Sequence, residues 1–328
     1  MFNSFSSFVL IQQRLYGGGG NLSQLIALIA KIGKVINHQV NNAGIIRALG
    51  STGKTNVQGE SVQHLDQFSH DLFIRTLIES GLVFMIGSEE HDTIIPVPQE
   101  TRGNRVVVID SLDGSSVIDC DTTIGSIVGI YKQINTDPND VRNILQPAKN
   151  LEAAMIILYG PSTKLIISLG HGVHVFTLNM SLGEFYQDDD GEKVCLPELS
   201  GRSTYSFNLA NMHKWSENTQ VYAKWLMAYR TAEDKSLAFR YIGSLCGDFF
   251  RTLMYGGMFM YPGTVETPKG KLRLIYENGI IAHLIIQAGG LATNGTTSIL
   301  DLPPKELHVR TPFFFGNSEL IKKLSAMA

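Results

Sequence analysis

The chain has 328 residues, of which 44% are hydrophobic, and a formal net charge of −3. This length and composition predict a folded protein with a large core, in one large domain or two. The near-neutral charge argues against nucleic acid or a membrane surface as the main partner. Cys120, Cys195 and Cys246 form no C-x-x-C pair, which argues against a disulfide framework or a zinc site and favours a reducing compartment. The apolar patch at residues 8–11 is too short for a signal peptide or a membrane span, so we expect a cytoplasmic protein.

The N-terminal region predicts a frayed start followed by an amphipathic helix. Four consecutive glycines, residues 17–20, precede apolar side chains at helical spacing, which are Leu22, Leu25, Ile26, Ile29, Ile32 and Ile36. Glycines before a helix can bind a phosphate through free backbone N–H groups, but a flexible linker explains them equally well. A dinucleotide site is not supported, because no G-x-G-x-x-G follows a strand.

Two segments before residue 100 carry acidic candidates. Residues 51–60 are rich in turn formers and predict a mobile loop, and the helix predicted after them contains Asp66, which by itself would be an ordinary solvated carboxylate. A predicted strand at residues 82–86 is followed by Glu89 and Glu90. Adjacent glutamates are usually only a charged loop. At a strand end beside a second acidic turn, however, they could supply a metal ligand and a general base.

That second acidic turn lies in residues 105–131, RVVVIDSLDGSSVIDCDTTIGSIVGIY. A β-branched run predicts a buried strand that ends near Asp110 and Asp113, and Gly114 then allows close backbone approach to a bound group. Hard divalent cations such as Mg²⁺ take oxygen ligands and substrate phosphate, which suits this turn. The alternative is an Asx-rich turn whose aspartates bond only their own backbone.

The remainder of the chain predicts more sheet and a second half with phosphate-binding candidates. Strand-type residues occur at 124–131, 153–159, 164–168, 173–179 and 183–186, and an acidic loop at 188–190 suggests a boundary between residues 1–190 and 191–328. Asn208 is expected at a strand end. Arg240 and Tyr241 could hold a phosphate, because the guanidinium is planar and charged, although such pairs are often only packing.

Several segments together resemble the fructose-1,6-bisphosphatases, within the magnesium-dependent, lithium-sensitive sugar and inositol phosphatases. IDSLDGSS resembles the family's D-P-L-D-G-S-S, with Ser111 in place of proline. SEEHD, RYIGS, MYP and PKGKLRLIYE resemble S-E-E-D-D, R-Y-[VIT]-G-[SG], L-Y-P and P-K-G-K-L-R-L-L-Y-E. The similarity extends over about residues 20–326, and several motifs in the right order are far more specific than any one of them.

The resemblance implies an α/β fold, a layered α-β-α-β-α sandwich with an N-terminal regulatory domain and a C-terminal sugar-phosphate domain. It implies magnesium-dependent hydrolysis of the 1-phosphate of fructose 1,6-bisphosphate, with Mn²⁺ or Zn²⁺ able to substitute, in a homotetramer where Arg240 reaches the neighbouring subunit's site. The implied metal ligands are Glu89, Glu90, Asp110, the Leu112 carbonyl, Asp113 and Glu277. The implied catalytic residues are Glu90, Asp66 and Glu60, and the implied substrate-binding residues are Asp113, Gly114, Ser115, Ser116, Asn208, Arg240, Tyr241, Tyr261 and Lys271.

Departures from the family pattern leave alternatives open. YSFNLAN replaces Y-S-I-N-E-G-Y, so a tyrosine near the distal phosphate is lost, which leaves room for a sedoheptulose-1,7-bisphosphatase; Tyr261 favours the fructose enzyme. The family binds inhibitory AMP at the first helix, but most matching residues differ here, including Gly19, Asn21, Asn104 and Arg105, and we expect weak or absent AMP inhibition. A catalytically weak regulatory homologue would predict lost metal ligands, and none is lost.

Overall fold

The computed structural model describes residues 4–17, 20–43, 45, 51–55, 61–188 and 192–327. Two sheets dominate it, and each is covered by helices. The larger is an eight-stranded sheet in the order β10-β9-β8-β7-β6-β5-β3-β4. Its strands are β3 Val83–Ser88, β4 Ile95–Pro96, β5 Arg105–Asp113, β6 Ile124–Lys132, β7 Leu151–Tyr159, β8 Lys164–Ser168, β9 Val173–Asn179 and β10 Glu184–Gln187. Neighbouring strands are antiparallel except β3 and β5, which run parallel.

One face of this sheet is covered by three helices, α1 Phe5–Tyr16, α2 Gly20–Asn42 and α3 His64–Glu79. The predicted apolar stripe of α2 supplies Leu25, Ile29 and Ile36 to the core beneath it. The prediction of a frayed N-terminus is wrong, because α1 is a capped helix whose Phe5 ring lies 5.1 Å from that of Phe176. Burial of its aromatic side chains on β9 stabilises this helix, as tertiary packing does for most short helices.

The smaller sheet has five strands in the order β12-β11-β13-β15-β14. They are β11 Thr204–Ser206, β12 Ala238–Phe239, β13 Gly257–Tyr261, β14 Leu291–Thr293 and β15 Phe313–Gly316. The helices α5 Leu245–Tyr255 and α6 Gly279–Gln287 pack between the two sheets, in a core shared by both. The helices α4 Glu217–Ala228 and α7 Ser318–Ser325 cover the outer face of the smaller sheet. The predicted α-β-α-β-α order of layers is confirmed.

Three local expectations differ from the structure. Residues Ser51–Thr55 of the expected mobile loop form strand β1, which pairs antiparallel with β2 Ser61–Gln63, while residues 56–60 lie outside the described part. Asn208 lies two residues beyond β11 and caps a 3-10 helix, Leu209–Lys214. The helix expected around Glu277 begins as a π-helical turn, Leu274–Asn278, before α6.

The larger sheet ends at Gln187 and the smaller sheet begins at Thr204, and the domain boundary at residue 190 stays a prediction. Within the described ranges, no helix combines the length and the apolar character that crossing a bilayer requires.

Candidate metal centre and phosphate site

Parallel pairing of β3 and β5 brings the two acidic turns together. Ser88 pairs with Ile109, and the Glu89 N–H donates to the Ile109 carbonyl at 3.0 Å. Strands that run parallel end at the same edge of a sheet, so Glu89 follows β3 where Asp110 lies on β5. The two carboxyl groups lie close enough to share a hydrogen bond.

A bulge in β5 places Asp110 and Asp113 on one side. Asp110 pairs with Ile127 of β6 and Asp113 with Gly125, so three steps along β5 match two along β6. Residues three apart in a regular strand point to opposite faces, and one extra residue reverses that alternation. Carboxylate oxygens of Asp110, Asp113 and Glu277 consequently lie within 4.8 Å of one another.

Glu277 comes to this cluster from the π-helical turn. The Asn278 N–H donates to the Arg273 carbonyl at 3.1 Å, and a Glu277 oxygen accepts the Arg273 N–H at 2.5 Å. A π-helical turn holds one more residue than an α-helical turn, and such insertions are frequent at functional sites. Here the wider turn directs a carboxylate back toward β5.

The cluster concentrates negative charge in the interior. Asp110 and Glu277 expose only 6% and 3% of their surface. The pKa of both side chains is raised well above the usual range. Burial is the larger cause, and repulsion from the nearby Glu89 carboxylate is the second. Burial also raises the pKa of Asp113, although hydrogen bonds from Cys246 and Ser244 oppose this shift.

Arg273 supplies a positive charge to the cluster. Its Nη1 lies 2.5 Å from a Glu89 oxygen and 3.9 Å from a Glu277 oxygen, and the side chain is buried. One guanidinium leaves several carboxylates uncompensated, and buried like charges persist only with a cation or a proton. A site of carboxylate oxygens alone fits a hard cation such as Mg²⁺, so these residues suit the metal that the family resemblance implies.

The turn after β5 is suited to an anionic group. Gly114 has a left-handed φ of 87°, and a Cβ there would lie 3.1 Å from the Ser244 Oγ, so only glycine fits without strain. Ser244 is the N-cap of α5. The backbone N–H of Cys246, the second residue of that helix, donates to an Asp113 oxygen at 2.8 Å. Ser116 is exposed in the following 3-10 helix, whereas the Ser115 side chain lies outside what the structure describes.

The other predicted members of the centre are placed as follows. The Leu112 N–H donates to Asp110 at 3.1 Å. Glu90 is partly exposed in the turn after β3, and its N–H donates to the Ser88 Oγ at 3.3 Å. Asp66 is buried in the first turn of α3, which packs against β5. Glu60 lies outside the described residues. Glu89, Glu90 and Asp66 are not part of the 4.8 Å cluster.

The predicted distal residues converge only in part. Asn208, Tyr261 and Lys271 line one cavity, together with Asn211, Trp215, Met260, Pro262, Thr264 and Thr267. Tyr241 lies near Tyr261. Burial, and to a smaller extent Tyr261, raises the pKa of Tyr241 to about 12. The Tyr241 hydroxyl therefore stays protonated and can donate to an anion. Arg240 is exposed; its Nη1 donates to the Phe239 carbonyl at 2.7 Å, and it does not line this cavity.

Sequence reasoning missed two contributors to the metal centre. Arg273 was visible only as part of PKGKLRLIYE, although its position four residues before Glu277 is a recurrent ion-pair spacing. The Cys246 backbone N–H left no sequence signal, because any residue but proline can donate there.

Comparisons with known proteins identify the family of this chain. The family model "Fructose-1-6-bisphosphatase, N-terminal domain" matches residues 3–190, and the corresponding C-terminal domain model matches residues 199–328. The "Fructose-1,6-bisphosphatase class 1" of Microcystis aeruginosa is 42% identical over 92% of this chain and 85% of its own length. That of Chlorobium phaeovibrioides is 38% identical over 92% of this chain and 90% of its own length.

A solved structure has the same fold. The Leishmania major fructose-1,6-bisphosphatase in its holo form superimposes with a TM-score of 0.91 at 32% identity, over 100% of this chain and 99% of that one. The family models span nearly the whole sequence. The chain belongs to the fructose-1,6-bisphosphatase family of phosphatases.

Proposed function

We propose that this chain hydrolyses the 1-phosphate of fructose 1,6-bisphosphate, giving fructose 6-phosphate and phosphate, with Mg²⁺ bound at the end of β5. The observation that carries the proposal is the convergence of Asp110, Asp113 and Glu277 within 4.8 Å, next to the Gly114 turn. The names of its relatives support the same substrate.

The metal ligands in this proposal are Glu89, Glu90, Asp110, the Leu112 carbonyl, Asp113 and Glu277. When bound, two or three Mg²⁺ ions neutralise phosphoryl charge and lower the pKa of a water molecule. The protein also contributes backbone N–H groups at Gly114, Ser115 and Ser116, which hold the transferring phosphate as charge develops on it.

Proton transfer is assigned to Glu90 and Asp66. Glu90 is partly exposed in the turn after β3, and Asp66 is buried in α3, which packs against β5. Together they take the single proton that the attacking water releases: one carboxylate accepts it while the other holds the water by a hydrogen bond, which is general-base catalysis. Glu60, which lies outside the described residues, is a third catalytic residue in this proposal.

The 6-phosphate and sugar bind in the smaller-sheet half. Asn208, Tyr241, Tyr261 and Lys271 form this distal site, which is supported by the shared cavity and by the neighbouring tyrosines. Arg240 acts on the site of an adjacent subunit in a homotetramer. Its exposure, beside the exposed apolar Phe239 and Ile242, supports an intersubunit face. We place the enzyme in the cytoplasm.

Sedoheptulose-1,7-bisphosphatase is the second candidate, because Asn211 stands where the family has a tyrosine near the distal phosphate. The names of the relatives do not favour it. Phosphate release from a panel of sugar bisphosphates, with and without Mg²⁺, tests the proposal. We expect release that requires Mg²⁺ and is fastest with fructose 1,6-bisphosphate. Faster turnover of the seven-carbon sugar, or release unaffected by chelation of the metal, would overturn it.

A further inference from the structure

Helix α5 contacts both halves of the site. Its second residue, Cys246, donates its N–H to the metal ligand Asp113 at 2.8 Å. The segment immediately before the helix, residues 239–243, carries Tyr241 of the subunit's own distal site. The position of that segment against α5 therefore sets the distance between the two phosphate subsites.

The side chain of Asp248, in the first turn of α5, binds backbone N–H groups of this segment. The side chain is 0% exposed. Its oxygens accept the Ile242 N–H at 3.2 and 3.3 Å, the Gly243 N–H at 3.2 Å and the Ser206 hydroxyl at 2.6 Å. Burying a carboxylate costs free energy unless hydrogen bonds compensate it. The donors of these bonds lie outside α5, in the distal segment and in β11.

Arg251, one turn further along α5, binds the backbone of the same segment at Arg240, on the other side of Tyr241. Its Nη2 is paired with Asp248 and donates to the Arg240 carbonyl at 2.9 Å. Its Nε donates to the Thr204 hydroxyl at 3.4 Å. Gly243 has a left-handed φ of 88°, which allows the chain to turn into the helix between these contacts. The backbone on both sides of Tyr241 is thus bonded to one ion pair, whose Asp248 is buried and whose Arg251 is 14% exposed.

We propose that Asp248, assisted by Arg251, is a positioning residue that fixes residues 240–243 relative to Asp113, so that both phosphates of a bisphosphate sugar bind at once. This rests on the proposed function, in which Tyr241 serves the distal phosphate of this subunit's own site and Arg240 serves that of the neighbouring subunit. A sugar of fixed length reaches both subsites only if their separation is held, and small misplacements of a bound group reduce the rate steeply. A buried ion pair that merely stabilised the fold would affect every substrate equally.

Asp248→Asn tests the proposal with two substrates, fructose 1,6-bisphosphate and fructose 1-phosphate, which lacks the distal phosphate. The amide keeps the volume of the side chain but leaves one acceptor oxygen for donors that now use two. We expect kcat/KM for the bisphosphate to fall about tenfold or more, mainly through KM, while the value for the monophosphate changes by less than about threefold.

Thr252→Ala is the matched control. It removes a buried hydroxyl of α5 that donates to the Asp248 backbone carbonyl within the helix, and it should leave the ratio of the two kcat/KM values unchanged. If Asp248→Asn does not fold, Ser206→Ala removes the 2.6 Å hydrogen bond alone and should lower the same ratio by a smaller factor.

The outcomes separate the two proposals. A wild-type enzyme without preference for the bisphosphate would overturn the proposed distal site and this inference with it. A wild-type preference that Asp248→Asn or, failing that, Ser206→Ala leaves intact would overturn this inference alone. Equal losses for both substrates would assign Asp248 to stability only and would also overturn it.

Discussion

The carboxylates at the end of β5 lie inside the protein, whereas the basic side chains proposed for the distal phosphate lie at its surface. Asp110 and Glu277 are almost fully buried, while Arg240 and Lys271 are exposed. Buried charges of one sign repel strongly because little water screens them, so the cluster gains most from a bound cation. Exposed cations keep their hydration and bind weakly until a ligand or a neighbouring subunit excludes water. The first region should be essential to turnover, and the second should adjust affinity.

The largest effect is expected from Asp113→Ala. This change removes a metal ligand from the cluster and also the acceptor of the Cys246 N–H. We expect turnover to fall by more than about 100-fold, beyond the usual cost of losing an outer-shell partner of a metal. Phosphate release at saturating Mg²⁺ measures this. Circular dichroism should show an unchanged fold.

Asp119→Asn is the control for that variant, because Asp119 is exposed in the 3-10 helix that follows the same turn. It should retain nearly wild-type activity. Substantial turnover by Asp113→Ala would contradict the assignment of the metal centre, whatever the control does.

Arg240→Ala should act on the other region and less severely. An exposed guanidinium that binds one phosphate should raise KM for the bisphosphate by about tenfold, the equivalent of one charge-assisted hydrogen bond, with a smaller change in kcat. Arg240→Lys should recover only part of the loss, since an ammonium cannot bind a phosphate in bidentate fashion. A loss confined to kcat would remove Arg240 from the distal site.

The pH dependence of stability should separate the regions again. The pKa values of Asp110 and Glu277 are raised in the folded state, so the folded protein binds more protons than the unfolded chain above the ordinary carboxyl pKa of about 4. The metal-free protein should therefore lose stability as pH rises from about 4 through the raised values, and melt lower at roughly pH 8 than at roughly pH 5.

Thermal melts with a chelator measure this trend, and Mg²⁺ should stabilise most at the higher pH. Glu277→Gln should flatten the trend, whereas Lys271→Met, in the exposed region, should leave it unchanged. An identical pH profile for wild type and Glu277→Gln would show that the cluster does not carry this titration.

The smallest effect is expected from AMP. The cavity beneath α1 and α2 is lined in part by Gln13, Tyr16 and Glu152, and Glu152 is paired with Arg105 at 2.6 Å. A carboxylate at this position disfavours an anion, and its partner is already engaged. AMP should leave the phosphate-release rate nearly unchanged, and an inhibition constant in the micromolar range would refute this.

The sequence predicted the strands of the larger sheet and the acidic turn well, because these features are local. The β-branched run before Asp110 and the alternation after Ile124 are contained in single segments. The N-terminal helix was missed for the opposite reason. Its stability depends on rings of β9, more than 150 residues away in sequence, and not on its own propensity.

The geometry of the candidate site could be predicted only in outline. The family motifs named the carboxylates, but the β5 bulge and the π-helical turn arise from strand register and from one inserted residue, which no pattern of apolar residues encodes. Arg273 and Asp248 were missed because each makes its contacts after the two halves pack together.

Anomalous diffraction from crystals soaked in Mn²⁺, a substitute for Mg²⁺, tests the central claim most directly. The account predicts an anomalous peak bounded by oxygens of Asp110, Asp113 and Glu277, and its loss in Asp113→Ala. A peak at another site, or none in protein whose phosphate release depends on Mn²⁺, would contradict it.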